Sequence, residues 1–238
     1  MKPVDQDFFK NWTSDMAYVL GYIAADGCIS KRKRAADSFT LNITSKDRQH
    51  LCDIKKVLRS DHKISRKRSD PRHTAFQLQI SNQLLCRDLL DMGIVQRKTR
   101  ALRSISVPKP FFRDFARGFF DGDGTVYIYR VNGTAQIKAG LVCASHSFLS
   151  DLNRNLCRSL GIREKSIHRM HEKGRGVPLY SVYFYVDDCE KLSKFFYGQG
   201  TSLCLRRKRR IFANWTHIKR RTYAKTNYPS KVGWHLKY

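Results

Sequence analysis

Apolar residues along this chain recur with two periods, one of three to four residues and one of two, and the periods follow each other in a fixed order. From about Thr13 to Gly27 the chain reads as an apolar helix. Strands follow in CISKRKR and SFTLNITS, where Phe39, Leu41 and Ile43 alternate with Thr40, Asn42 and Thr44. A helix from about Lys46 to Arg59 then carries Leu51, Ile54 and Leu58 on one side. KISRKRS and TAFQLQIS are again strands, the second alternating Phe76, Leu78 and Ile80 with Gln77, Gln79 and Ser81, and a helix around Leu84 to Met92 closes the series. The order is αββαββα.

That order then repeats. An apolar helix runs from near Pro110 to Gly124, followed by strands in TVYIYRV and AQIKAGLVCAS and by a helix bearing Leu149, Leu152, Leu156 and Leu160. SIHRMH, LYSVYFYVD and a helix near Glu190 to Tyr197 complete the second copy. Setting VLGYIAADG against ARGFFDGDG places Gly21, Asp26 and Gly27 on Gly118, Asp123 and Gly124 at a constant offset of 97 residues. The expected class is α+β, with two pseudo-symmetric αββαββα halves over residues 1–105 and 106–200. Pro108 and Pro110 suit the connection between them. A basic extension, 201–238, begins with LRRKRRIFANWTHIKRR, which reads as a helix packing through Ile211, Phe212 and Trp215. Arg207, Arg209 and Arg210 are expected there to meet phosphate rather than base edges.

Charge narrows the choice of partner. Lys and Arg number 46 against 20 acids in 238 residues, a formal net charge of +26, so a polyanion is favoured through counterion release. The basic residues are spread over strand-like segments, which speaks for nucleic acid and against a membrane anchor. MKPVDQDFFKNW holds acids and no apolar stretch of signal-peptide length, so no secretory address is expected. Seven cysteines without a CxxC pair point to free thiols in an intracellular, reducing compartment with access to DNA, not to a disulfide frame or a zinc site.

The repeat also sorts the carboxylates. Asp121 aligns with Ala24, so one half manages without it, whereas Asp26 and Asp123 share a register. Each of the latter ends a helix, where the macrodipole opposes a carboxylate by ~0.3–1 kcal/mol. Such a placement costs stability and therefore suggests function. Gly21 and Gly118, five residues earlier, allow two helices to approach closely and bring the acids together. Facing carboxylates repel unless a hard cation joins them, which implies Mg²⁺.

VLGYIAADG and ARGFFDGDG resemble the motifs of the LAGLIDADG homing endonucleases in their single-chain, two-motif form. The resemblance spans residues 11 to 200 and departs from the family pattern at Ala24 and Arg117. It implies a monomer whose motif helices pack at the interface of the halves, beneath an antiparallel β-saddle that straddles double-stranded DNA. Asp26 and Asp123 would hold Mg²⁺, or Mn²⁺ or another divalent cation in its place, with the backbone carbonyls of Ala25 and Gly122 assisting. The implied activity is sequence-specific double-strand cleavage by metal-assisted hydrolysis.

Lys46, at the end of the second strand, is a further catalytic candidate, with His146 its counterpart in the second half. By strand parity Ser30, Arg32, Arg34, Thr40, Asn42, Thr44, Gln77 and Gln79 would face the duplex, joined by Lys63 and Lys67. In the second half the same surface would carry Tyr127, Tyr129, Gln136, Lys138, Tyr183 and Tyr185. His168 and His171 fall on opposite strand faces and so do not form a metal pair. An alternative on the same scaffold is an intron RNA maturase, an RNA-binding splicing cofactor.

Overall fold

In the computed structural model the described residues are 2–31, 39–67, 74–95, 102–170 and 176–226, the last seven of them as backbone alone. Arg32, Arg34 and His171 lie outside them. Helix α1 spans Ser14–Asp26 and leads directly into β1, Gly27–Lys31. The first half continues with β2 (Phe39–Ser45), α2 (Arg48–Val57), β3 (Ile64–Lys67), β4 (Ala75–Ile80) and α3 (Gln83–Asp91). A 3₁₀ turn, Lys109–Phe111, introduces α4, Phe112–Asp123, which likewise runs straight into β5, Gly124–Val131. The second half then has β6 (Thr134–Cys143), α5 (His146–Leu160), β7 (His168–Met170), β8 (Leu179–Phe184) and α6 (Val186–Tyr197), and a final helix α7 covers Arg206–Thr226.

The repeat is therefore an architectural one. Each half forms a four-stranded antiparallel sheet, ordered β1-β2-β4-β3 in the first and β5-β6-β8-β7 in the second. Leu41, Ile43, Leu78 and Ile80 bury one face of the first sheet, and Ile137, Ala139, Leu141, Val182 and Phe184 do so in the second. The opposite faces carry the polar residues of the alternation.

Local chemistry sets the helix limits. Thr13 accepts the Met16 N–H at 3.1 Å and starts α1. Asp47, Asn82 and Ser145 cap α2, α3 and α5 in the same way. The Asp47 cap leaves Lys46 outside α2, although the apolar periodicity places it at the helix start. Helix α6 begins at Val186, four residues before the expected Glu190, with Asp187 and Asp188 in its first turn where the dipole favours acid.

The two halves meet where α1 and α4 cross, and there the backbones touch. A Cβ on Gly21 would fall 2.0 Å from the Phe115 carbonyl oxygen, and one on Gly118 would fall 2.0 Å from that of Tyr18. The reciprocity shows a two-fold relation about the crossing. Both helices are consequently buried all round, α1 from Met16 to Ala25 and α4 from Asp114 to Asp121. Among the described residues no helix is long and apolar enough to cross a membrane.

The crossing leaves no room for one methyl group. Gly21→Ala and Gly118→Ala should each lower stability by about 3 kcal/mol in guanidinium denaturation, because backbone atoms must move apart. Gly176, whose Cβ would meet nothing within 4 Å, supplies the neutral control. Alanine at either crossing position without a change in midpoint would show that the helices do not touch there.

Candidate active site

Asp26 and Asp123 are the last residues of α1 and α4, and both are half-buried. The crossing geometry carries through to these ends, since a Cβ on Gly122 would lie 2.3 Å from that of Ala25 and 3.6 Å from the Asp26 nitrogen. Both carboxylates also act on one ammonium, that of Lys208, whose pKa each of them raises. The structure thus brings the two sequence-matched acids together, at the point where the first strand of each sheet begins.

The ligand chemistry available is oxygen. Among the described residues no three His, Cys, Asp or Glu side chains form a metal-holding group. What remains is two carboxylates with the peptide oxygens of the abutting turns, which fits a hard divalent cation that keeps several waters. Tyr22 supports the first acid. Its hydroxyl lies 3.1 Å from Ser45 Oγ and gives its one proton to the Asp26 carboxylate. Burial, with the Asp26 charge next, raises the Tyr22 pKa, so the phenol stays a donor. Lys46 stands exposed one residue beyond Ser45, and His146 is exposed at the start of α5 beside the ring of Tyr180.

Asp121 has a different place. It is 1% exposed, and its carboxylate accepts from Tyr18 Oη at 2.7 Å, Tyr197 Oη at 2.6 Å and the Leu205 N–H at 2.7 Å. Burial raises its pKa, opposed first by the Tyr197 bond and then by the Leu205 N–H. These bonds tie α1, α6 and the chain before α7 to the middle of the interface. Arg117, fully buried, joins the same segment to α4, donating to the carbonyls of Leu203 at 3.0 Å and Phe196 at 3.3 Å. Its other nitrogen pairs with the Asp114 carboxylate at 2.7 Å, and its guanidinium lies over the Tyr18 ring.

Sequence reasoning passes over Lys208. It is 2% exposed, and its ammonium donates to the carbonyls of Phe120, Asp121, Gly122 and Gly124, the C-terminal turn that holds Asp123. Burial lowers its pKa to about 8, with Asp121 the main opposing influence, so it remains a cation at neutral pH. Gly122 O, expected only as a metal-assisting oxygen, therefore also receives this ammonium, at 3.4 Å. Arg207, Arg209 and Arg210 around it are exposed, as a phosphate-contacting face requires.

The polar sheet faces largely keep the expected alternation. Asn42 sits at the centre of the first, donating to Ser30 Oγ at 3.1 Å and accepting from Gln79 at 2.7 Å and Gln77 at 3.3 Å. Thr44 is half-buried on the same face, while Lys63 and Lys67 are exposed toward its outer edge. Thr40 departs from expectation. It is 8% exposed and shares a hydrogen bond with Ser81 at 3.0 Å, so its hydroxyl is committed within the protein. On the second sheet Lys138 lies 3.6 Å from the centre of the Tyr183 ring and 5.5 Å from that of Tyr185. Tyr127 pairs with Lys138 across β5 and β6, Tyr129 pairs with Gln136, and the rings of Tyr127 and Tyr129 are 5.8 Å apart.

The model of the LAGLIDADG-like domain matches residues 13–92 and again 111–196, one match to each half. The chain belongs to this LAGLIDADG family. Its fold is that of the family's single-chain homing endonucleases. I-GzeII, solved in complex with its DNA target, aligns with a TM-score of 0.58 over 92% of this chain and 94% of that one at 11% identity. I-AabMI, bound to uncleaved DNA, gives 0.57 over 88% and 91% at 15% identity. I-SmaMI, bound to uncleaveable DNA, gives 0.57 over 90% and 94% at 16% identity. No curated protein matches by sequence. Within the LAGLIDADG frame, Arg117 and Asp121 occupy motif positions that in this chain bind the segment following α6.

His50 links the site to acid stability. It is 2% exposed, its Nε2 lies 3.2 Å from Tyr18 Oη, and its ring packs on Tyr22. Burial lowers its pKa from 6.5 to about 4; Asp47 and Asp53 oppose this, whereas Lys208 and Arg207 reinforce it. The unfolded imidazole therefore binds a proton between those values that the folded one refuses, and stability falls as pH drops through that window. The full loss is about 3 kcal/mol. His50→Gln should flatten the decline in unfolding free energy between pH 7 and pH 4.5, and an unchanged slope would remove His50 as its source.

Proposed function

We propose that this protein is a metal-dependent endonuclease that cuts both strands of a specific DNA duplex. One observation carries the reading: Asp26 and Asp123 end two helices whose C-terminal turns abut, and each opens into the first strand of a sheet with a polar face. The solved relatives that share the fold have DNA bound, which supports a DNA duplex as the substrate.

In this reading Asp26 and Asp123 hold the divalent cation, Mg²⁺ with Mn²⁺ as a substitute, with the carbonyls of Ala25 and Gly122 completing the protein's share of the ligands. When bound, the cation neutralises charge on the scissile phosphates and activates water for in-line displacement. Tyr22 holds the Asp26 carboxylate in place through its hydroxyl, and Ser45 holds Tyr22. Lys46, exposed beside that pair, offers an ammonium to the phosphate group as charge develops. The bonded set Ser30, Asn42, Gln77 and Gln79 presents amides already oriented for base edges, and Gln and Asn suit adenine. Tyr127, Tyr129, Gln136, Lys138, Tyr183 and Tyr185 form the corresponding surface of the second half.

Selection of cleaved sites from a randomised duplex library in Mg²⁺ tests the reading. Asp26→Asn and Asp123→Asn should each lower cleavage by orders of magnitude while duplex affinity in EDTA is retained, since both keep shape and lose charge. A wild-type protein that enriches no cut site, or either variant cutting at the wild-type rate, would overturn it.

Recognition and attachment should separate as well. Gln79→Ala should relax preference at one or two positions of one half-site by about 1–3 kcal/mol. Neutralising Arg207 and Arg210 together should weaken binding to every sequence alike and lower the salt slope by roughly 0.9 for each phosphate that is no longer neutralised. A cleavage profile over all single-substitution targets at two salt concentrations distinguishes them, and exchanged phenotypes would refute the assignment of the sheet faces.

A further inference from the structure

Lys208 lies beyond residue 196, where the second family match ends, yet it reaches the centre of the candidate site. The last four carbonyls of a helix lack partners within it. In α4, where the cap Gly124 N–H bonds the Phe120 carbonyl, those belong to Asp121, Gly122, Asp123 and Gly124. The Lys208 ammonium reaches three of these, Asp121 at 2.9 Å, Gly122 at 3.4 Å and Gly124 at 2.5 Å, and also lies 2.5 Å from the Phe120 carbonyl. It thus grips the backbone on both sides of Asp123. Lys208 shares the buried side of α7 with Phe212 and Trp215, Leu205 is buried just ahead of the helix, and the Phe120 ring lies 5.1 Å from the ammonium. The Leu205 N–H fastens the same segment to Asp121.

Burying an ammonium is expensive, and water or a mobile surface lysine could satisfy exposed carbonyls at a helix end without that cost. A location that commits the charge to the turn carrying Asp123 therefore calls for a role in that turn. We propose that Lys208 is a positioning residue of the catalytic centre. By gathering the carbonyls of the α4 terminus it fixes the orientation of Asp123 and of the Gly122 oxygen, and so makes the C-terminal segment part of the metal site. The inference rests on the metal-dependent reading above.

The test exploits a difference in sign. An ammonium near a divalent cation repels it, so removing a mere neighbouring charge would tighten metal binding. Removing a positioning residue loosens it. Wild type, Lys208→Met and Lys208→Gln, each as the full chain on a duplex selected by cleavage, are titrated with Mn²⁺ and free ion is followed by electron paramagnetic resonance. Lys208→Met should raise the half-saturating Mn²⁺ concentration about tenfold or more, as removal of an outer-shell support does, with duplex affinity in EDTA retained. Lys208→Gln, which keeps N–H donors in a similar volume, should recover part of the affinity, and it carries the test if the Met variant does not fold. Tighter or unchanged Mn²⁺ binding overturns the proposal, as does failure of Lys208→Gln to fold, which would make the residue a stability element. A wild-type complex that neither binds Mn²⁺ nor cuts refutes the metal-dependent reading itself, a separate outcome.

Discussion

The backbone contact between α1 and α4 is the constraint on which the rest depends. Gly21 against Phe115 and Gly118 against Tyr18 bring two helix axes closer than any side chain allows. Because the contact is reciprocal, the two C-terminal ends are brought together as well, and with them Asp26 and Asp123. Each helix continues without a loop into β1 or β5, so the same contact also fixes where the two sheets start. One crossing thus sets the spacing of the acids and the placement of the polar surfaces.

Full burial of both helices has a cost, because α4 is not wholly apolar. Asp114, Arg117 and Asp121 lie inside it at 2%, 0% and 1% exposure. Unpaired, any of them would cost several kcal/mol. Asp114 pairs with Arg117 inside α4, and the rest of the compensation comes from the end of α6 and the chain after it. Arg117 bonds the carbonyls of Phe196 and Leu203, and Asp121 bonds Tyr197 and the Leu205 N–H. The segment then bridges to the first half, where Ser202 donates to Asp15 at 2.6 Å and Arg206 lies 3.7 Å from Asp53. The residues in α4 that depart from an apolar motif thereby make the C-terminal segment a partner of both halves.

Much of this is legible in the residue pattern, because alternating burial is a local property that sequence records directly. The doubled αββαββα order, the glycine crossing and the matched acids all follow from periodicity and register. What is not legible depends on partners distant in sequence. Thr40 has the parity of an exposed position, yet it is buried and shares a hydrogen bond with Ser81, just past the end of the neighbouring strand β4. Register sets Asp121 apart from Asp123, but it does not name the two tyrosines and the Leu205 N–H that Asp121 binds. Lys208 does leave a trace: Leu205, Lys208, Phe212 and Trp215 form a single stripe at three-, four- and three-residue spacing. A lysine on an apolar stripe of a packing helix must be buried by its neighbours, and the surrounding arginines mask that signal.

A charge count shows why such a lysine is tolerated there. Two helix C-termini contribute about −0.5 each and the carboxylates of Asp26, Asp121 and Asp123 −1 each, so the abutting ends gather roughly −4 within one turn of helix. A surface rich in cations elsewhere does little for this site, since exposed charges more than a Debye length away are screened. Lys208 supplies +1 from inside, held by peptide oxygens. The remaining charge, about −3, favours a divalent cation over a monovalent one in this approximation. Without the internal ammonium the α4 terminus would be free to draw its carbonyls toward whatever cation arrived, and ligand geometry would follow the ion. In the metal-dependent reading proposed above, the ammonium sets the turn before any ion binds, as preorganised electrostatic catalysis requires.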